Sequence, residues 1–181
     1  MAELIQGKDF IAFFRRVKDQ KKQDAGKVRF QTELTLNAEK EVETTKTKDG
    51  VVNSVSDGET SGEFTSLAYR EDKDTVNMWK EMRKWFRNTD KIEVWIVDLA
   101  SKFEEGGKEK YDVEYYQGFF KNFEISAPAD DKVELTYEVA IDGNGVISTD
   151  VLTESQKSAI NKAQYDYHTL AKEGEGTGLP A

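Results

Sequence analysis

Residues 43–63, ETTKTKDGVVNSVSDGETSGE, separate two stretches in which apolar and polar residues alternate as they do in strands. The segment is mostly polar and can contribute little to a core. A structureless stretch longer than about 12–15 residues is uncommon inside a compact domain and usually carries function. It therefore reads as a long loop between the second and third strands of a β-domain that works by reaching outward. Two turn signals lie within it, Lys48-Asp49-Gly50 and Ser56-Asp57-Gly58. In each, glycine can take positive φ and aspartate can bond back to the backbone.

The flanks supply the strands. Upstream, residues 9–17 (DFIAFFRRV) read as a strand with apolar residues on both faces, and a turn follows at Asp24-Ala25-Gly26. Val28, Phe30, Thr32, Leu34 and Leu36 then alternate with polar neighbours, which predicts one half-buried antiparallel strand. Downstream, residues 62–69 read as a strand with Phe64 and Leu67 pointing inward. Ile92, Val94 and Ile96, with Trp95 and Val97 on the other face, read as a central strand. In Tyr111–Ser126 the odd-numbered Tyr111, Val113, Tyr115, Phe119, Phe123 and Ile125 read as core, Gly118 as a bulge or bend, and Tyr116 and Phe120 as the opposite face. Val133, Leu135, Tyr137, Val139 and Ile141 alternate most cleanly of all.

Between these strands, Val76, Trp79, Met82, Trp85 and Phe86 recur at helical spacing, with Asp74 as N-cap. This packing helix is expected to cover an open sheet face or a barrel end. A second helix is expected after Thr153 or Ser155, with Ile160, Ala163, Tyr167 and Leu170 inside. Residues 1–171 read as a single domain and the glycine-rich 172–181 as a flexible tail.

A chain of 181 residues falls in the range of one domain and can bury roughly 70% of its unfolded surface. A hydrophobic content of 37% argues against global disorder. Without cysteine there is no disulfide, thiolate metal site or cysteine nucleophile. No apolar run approaches 18 residues and the first residues lack a signal core, so neither membrane insertion nor classical export is expected. A net charge of −9 disfavours tight nucleic-acid binding. Arg15, Arg16, Lys18, Lys21, Lys22, Lys27 and Arg29 nonetheless cluster, either as a solvated turn or as a basic edge for an acidic surface of a like subunit.

The inventory of chemistry is thin. His168 is the only histidine, too little for a metal cluster or a triad. Asp142-Gly143-Asn144-Gly145 fails the calcium-loop pattern at Ile147 and Thr153 and reads as a tight turn. No phosphate loop, dinucleotide fingerprint or nucleophile elbow is present. A cross-strand carboxylate pair, Glu114 with Glu134, is the residual glycosidase candidate. Tyr116 and Phe120 could alternatively form a carbohydrate or protein platform, which is the basis for reading the chain as a monomeric β-sandwich binding module. No catalytic, cofactor-binding or metal-ligating residue is assigned, and the chain is not read as an enzyme.

One resemblance runs through the whole chain. It rests on Gly7-Lys8-Asp9 before the first strand, Thr47-Lys48-Asp49-Gly50, the Asp72–Phe86 helix, Tyr115-Tyr116-Gln117-Gly118-Phe119-Phe120, Pro128-Ala129-Asp130-Asp131 and Leu152-Thr153-Glu154-Ser155-Gln156. In this order they resemble the major tail proteins, or tail tube proteins, of bacteriophages with long non-contractile tails infecting Gram-positive hosts. The resemblance implies a mainly β fold with α: two packed, mostly antiparallel sheets as a β-sandwich or partly closed barrel, flanked by one helix. It implies a virion structural protein, made in the host cytoplasm, whose homo-hexameric rings stack into a hollow conduit for DNA delivery. Further implied partners are the tape measure, distal tail and tail terminator proteins, with double-stranded DNA passing without specific binding. Subunit contacts are then expected at Thr47, Lys48, Asp49, Gly50, Val51, Val52, Asp57 and Gly58, and on the basic edge at Lys18, Lys21 and Lys22.

Overall fold

The computed structural model describes residues 2–71 and 77–161. Its strands are β1 (Phe10–Arg16), β2 (Gly26–Lys27), β3 (Gln31–Thr47), β4 (Gly50–Leu67), β5 (Ile92–Glu105), β6 (Lys108–Ser126), β7 (Glu134–Ile141) and β8 (Val146–Asp150). The helices are α1 (Met78–Arg87) and α2 (Glu154–Asn161). All described strand pairings are antiparallel and run in the order β2-β1-β5-β6-β7-β4-β3, with β8 also pairing to β6.

This ladder folds into two facing layers because β6 belongs to both. Up to Gly118 it pairs with β5, and from Gly118 onward with β7. Gly118 makes the crossing possible: a Cβ there would lie 1.9 Å from the Ala140 carbonyl oxygen, so only glycine lets the backbones approach. The bend anticipated at this residue is therefore where the sheet changes layer.

Between the layers lies the main core. β1 and β5 contribute Ala12, Phe14, Val94 and Ile96; β4, β6 and β7 contribute Phe64, Phe120, Leu135, Tyr137 and Val139. Phe14 meets Phe64 edge-on at 5.1 Å, and Tyr137 stacks on Phe64 at 5.8 Å and on Phe123 at 5.4 Å. Met82 and Trp85 of α1 close this core, with Trp79 and Phe86 half-buried beside them. That is the covering role the periodicity predicts. Val76 and Asp74 lie outside the described residues. A smaller core, on the outer face of the β1–β5 layer, joins Phe13, Val97, Tyr111 and Val113 to Leu152, with Ile160 of α2 against it. Thr153 caps α2: its Oγ accepts from the Gln156 N–H at 3.3 Å, and the Gln156 side-chain oxygen accepts from the Thr153 N–H at 2.9 Å. Ala163, Tyr167, Leu170, His168 and the tail lie outside the described residues.

Several strand expectations are corrected. The alternation over 28–36 is not one strand, because Phe30 takes a positive φ of 56° and the chain passes there from β2 to β3. The Gln31 side chain spans the gap, accepting from the Ala12 N–H at 3.0 Å and donating to the Ala12 carbonyl at 2.8 Å. It acts as a ladder rung between β1 and β3, so the sandwich is partly closed on that side. In β4 it is Ser66, not Leu67, that faces the core. In β6 the register shift between Phe120 and Asn122 reverses parity. Tyr116 and Phe120 consequently share the core with Phe123 and Ile125, while Phe119 is exposed.

Candidate assembly surface

The polar segment that reads as a loop is a regular hairpin. β3 and β4 stay paired from the body to Thr47 and Gly50, with Lys48 and Asp49 as a two-residue turn. Gly50 has φ 135°, and the Thr47 hydroxyl both donates to the Gly50 carbonyl at 2.8 Å and accepts from the Asp49 N–H at 3.2 Å. A turn this short forces residues 50–57 into strand register with 40–47, and threonine and valine suit that state. The second turn signal is thereby overruled. Ser56-Asp57-Gly58 sits within β4 at a bulge, where a Cβ on Gly58 would come within 2.9 Å of the Glu39 carbonyl oxygen.

β4 pairs with β7 only from Thr60 onward. The nine residues of β3 and ten of β4 beyond that point form an arm of about 30 Å, and residues 37–57 are all exposed. Its root is clamped by an ion pair between Lys40 and Asp57 and by Asn144, which donates to Asp57 at 2.8 Å. The Lys40 and Asn144 hydrogen bonds hold the Asp57 carboxyl below its ordinary value.

Cross-strand register sorts the arm into two faces. One carries Val42 opposite Val55, Thr44 opposite Asn53 and Lys46 opposite Val51. The other carries Glu41 and Glu43 opposite Ser56 and Ser54. Val51, Val52 and Val55 are more than half exposed, as is Val42. The expected contact residues Thr47, Lys48, Asp49, Gly50, Val51 and Val52 are thus gathered at the tip, and Asp57 and Gly58 at the root. Sequence reading does not single out Val42 and Val55. Counting outward from a two-residue turn at 48–49 places them opposite each other, but the polar composition of the segment hides its strands.

The basic edge is smaller than the sequence suggests. Arg15 pairs with Glu93 at 2.9 Å, Arg16 with Asp19 at 2.6 Å, and Arg29 with Glu71 at 3.3 Å. Lys18 is held by Asp90, which also takes Arg16. Burial pushes the Asp90 carboxyl up, but the bonds from Lys18 and Arg16 outweigh it and leave its pKa lowered. Lys27 is half-buried, and its pKa is lowered by burial and by Arg29. Lys21 and Lys22 remain exposed, with no ion pair among the described residues.

Neither rival chemistry is assembled. Glu134 stands opposite Ser126 and Leu67, and Glu114 opposite Ile96 and Ile147, so the two carboxylates are not a cross-strand pair. Tyr116 and Phe120 are buried and offer no platform. Among the described residues no group of three or more His, Cys, Asp or Glu side chains is placed to hold a metal, and no helix is long and apolar enough to cross a membrane.

Residues 4–149 match the family model described as phage tail tube protein. The chain belongs to that family. It is a structural, self-associating component of the phage tail, located in the virion, and not an enzyme. A putative tail protein of Staphylococcus phage phiMR25 is 27% identical to this tail tube protein over 178 residues, spanning 98% of this chain and 89% of the relative. Among solved structures, the SPP1 tail tube, determined by solid-state NMR and cryo EM, superposes with a TM-score of 0.72 at 19% identity, covering 96% of this chain and 98% of that one. The tail of an empty GTA particle, refined helically with C6 symmetry, superposes with a TM-score of 0.55 at 12% identity, covering 81% and 99%. These likenesses establish the tail-tube fold.

Proposed function

We propose that this tail tube protein forms six-membered rings that stack into a hollow conduit for double-stranded DNA, with the β3–β4 arm bridging subunits. The observation that carries this reading is the arm itself. Some twenty residues of paired hairpin extend about 30 Å from the body, expose four valines, and among the described residues bury no apolar side chain of their own. Ordering a backbone costs about 1–2 kcal/mol per residue, and a neighbouring subunit's surface is the natural source of compensation. The six-fold symmetry applied to the GTA tail supports the ring size. A ring contact is heterologous and closes, whereas stacking is heterologous and open, which yields a tube. Tape measure, distal tail and tail terminator proteins are the further partners in this reading. Lys21 and Lys22 are its basic edge, meeting an acidic surface of a like subunit.

Negative-stain microscopy of the purified protein over a concentration series tests the reading. Rings or tubes about one subunit thick in the wall are expected to appear with concentration, and K21E/K22E to raise the concentration they require. A protein that stays monomeric at every concentration contradicts the proposal. Tubes unaltered by K21E/K22E remove the basic edge from it.

A further inference from the structure

Both layers of the sandwich run past the main core, and the inner face of the β1–β5–β6–β8 layer is left uncovered beyond it. There a groove of about 650 Å³ opens between β1 and β8. Its apolar floor is Ile96, a buried residue of the main core, flanked by Phe10 and by Ile147, which is 84% exposed. Asp98, Asp112 and Glu114 rim it, and Asp98 lies directly opposite Asp112 across the β5–β6 pair. Like charges placed directly opposite destabilise a sheet. Asp98 accepts from the Ala100 N–H at 3.0 Å and Glu114 from the Tyr116 hydroxyl at 2.5 Å, but among the described residues none of the three carboxylates is in an ion pair.

The arm has the complementary surface. By strand parity its valine face continues the side of β3 that bears the half-buried Leu34 and Leu36, which pack against the main core. Val42, Val51 and Val55 match the apolar floor, and Lys46 stands among them with no ion pair of its own among the described residues. Lys48, in the turn, adds a second cation at the tip. The opposite face could not serve, since Glu41 and Glu43 would meet the acidic rim.

We propose that the valine face of one copy's arm docks in the Phe10–Ile96–Ile147 groove of a second copy, with Lys46 neutralising the Asp98–Asp112 pair. The inference rests on the self-assembly reading above and specifies its partner surface. Each copy carries one arm and one groove, so the contact is head-to-tail and propagates from subunit to subunit.

The absence of cysteine allows a clean test with the full chain. V55C and I147C are made separately, one with a tag that changes its mass, mixed, assembled and oxidised. Both positions are more than half exposed, so neither change disturbs a core. A mixed disulfide dimer is expected in the assembled fraction. V52C, on the acidic face of the same arm, is expected to give at least ten-fold less with I147C. In parallel, K46E and D112K are each expected to raise the assembly concentration several-fold, and their combination to restore it. Tubes that form without the mixed dimer, or with V52C reacting as readily as V55C, overturn this docking and leave the tube reading standing. Failure of the unmodified chain to assemble at all overturns both.

Discussion

Gly118 shows how much one residue decides. It sits where β6 leaves β5 for β7, and the Ala140 carbonyl oxygen occupies the place a side chain would need. The obstacle is backbone on a central strand and cannot swing aside. G118A is therefore expected to destabilise the fold by about 1–3 kcal/mol, read as a lower urea midpoint with an unchanged slope. An unaltered midpoint would show that the two layers slide apart more easily than the contact implies. Glu93 illustrates the opposite case, a charge retained in a buried site. It takes Arg15 at 2.9 Å, Gln20 at 2.7 Å and the Tyr115 hydroxyl at 2.7 Å, so its oxygens are satisfied without water. None of these partners is adjacent in sequence, and only the folded strands bring them together.

At the scale of elements, the β3–β4 hairpin is two things in one pair of strands. From Leu34 to Ala38, and from Thr60 to Leu67, it is part of the body, with Phe64 and Ser66 buried. Beyond Thr60 it is an arm with no contact to spare for the core. Joining Glu41 to Ser56, which face each other in register, through a two-residue Asn-Gly turn removes the tip and leaves the body strands intact. The shortened chain is expected to keep its thermal midpoint within a few degrees while losing rings and tubes in micrographs. A shortened chain that still assembles normally would take the bridging role away from the arm. Removing residues 48–62 instead would confuse the two functions, because Thr60, Ser61 and Gly62 pair with β7.

For the whole molecule, the excess of acid over base bears on the conduit. Acidic walls would repel a passing duplex and let it slide, while a basic groove would hold it through its phosphates. With a net charge of −9, and with four of the seven clustered cations between Arg15 and Arg29 neutralised by internal ion pairs, an acidic bore is the expectation. A charge map of the assembled tube checks it, and a predominantly basic bore would contradict it. The outer edges of β3 beyond Gln31 and of β8, which no strand pairs among the described residues, belong to the same scale. An unpaired strand edge is a liability that association removes, which is consistent with a subunit built to be surrounded by copies of itself.

The sequence by itself determined the strands whose side chains alternate against one neighbouring layer, as in Val133–Ile141, and the helix whose tryptophans share a stripe. It also located the outward-reaching segment and left no catalytic set to account for. Periodicity is written locally, so these features needed no partner to be read. Tertiary structure alone decided that the reaching segment is a strand pair. A polar hairpin has no buried face to pattern it, and only the register extended from the body through a two-residue turn makes it regular. It also decided that Phe30 breaks a strand, that Tyr116 and Phe120 are core, and that Lys18 is bound to Asp90. Each of these depends on a bulge, a layer crossing or a partner distant in sequence, and strand parity carries no record of where such an event falls.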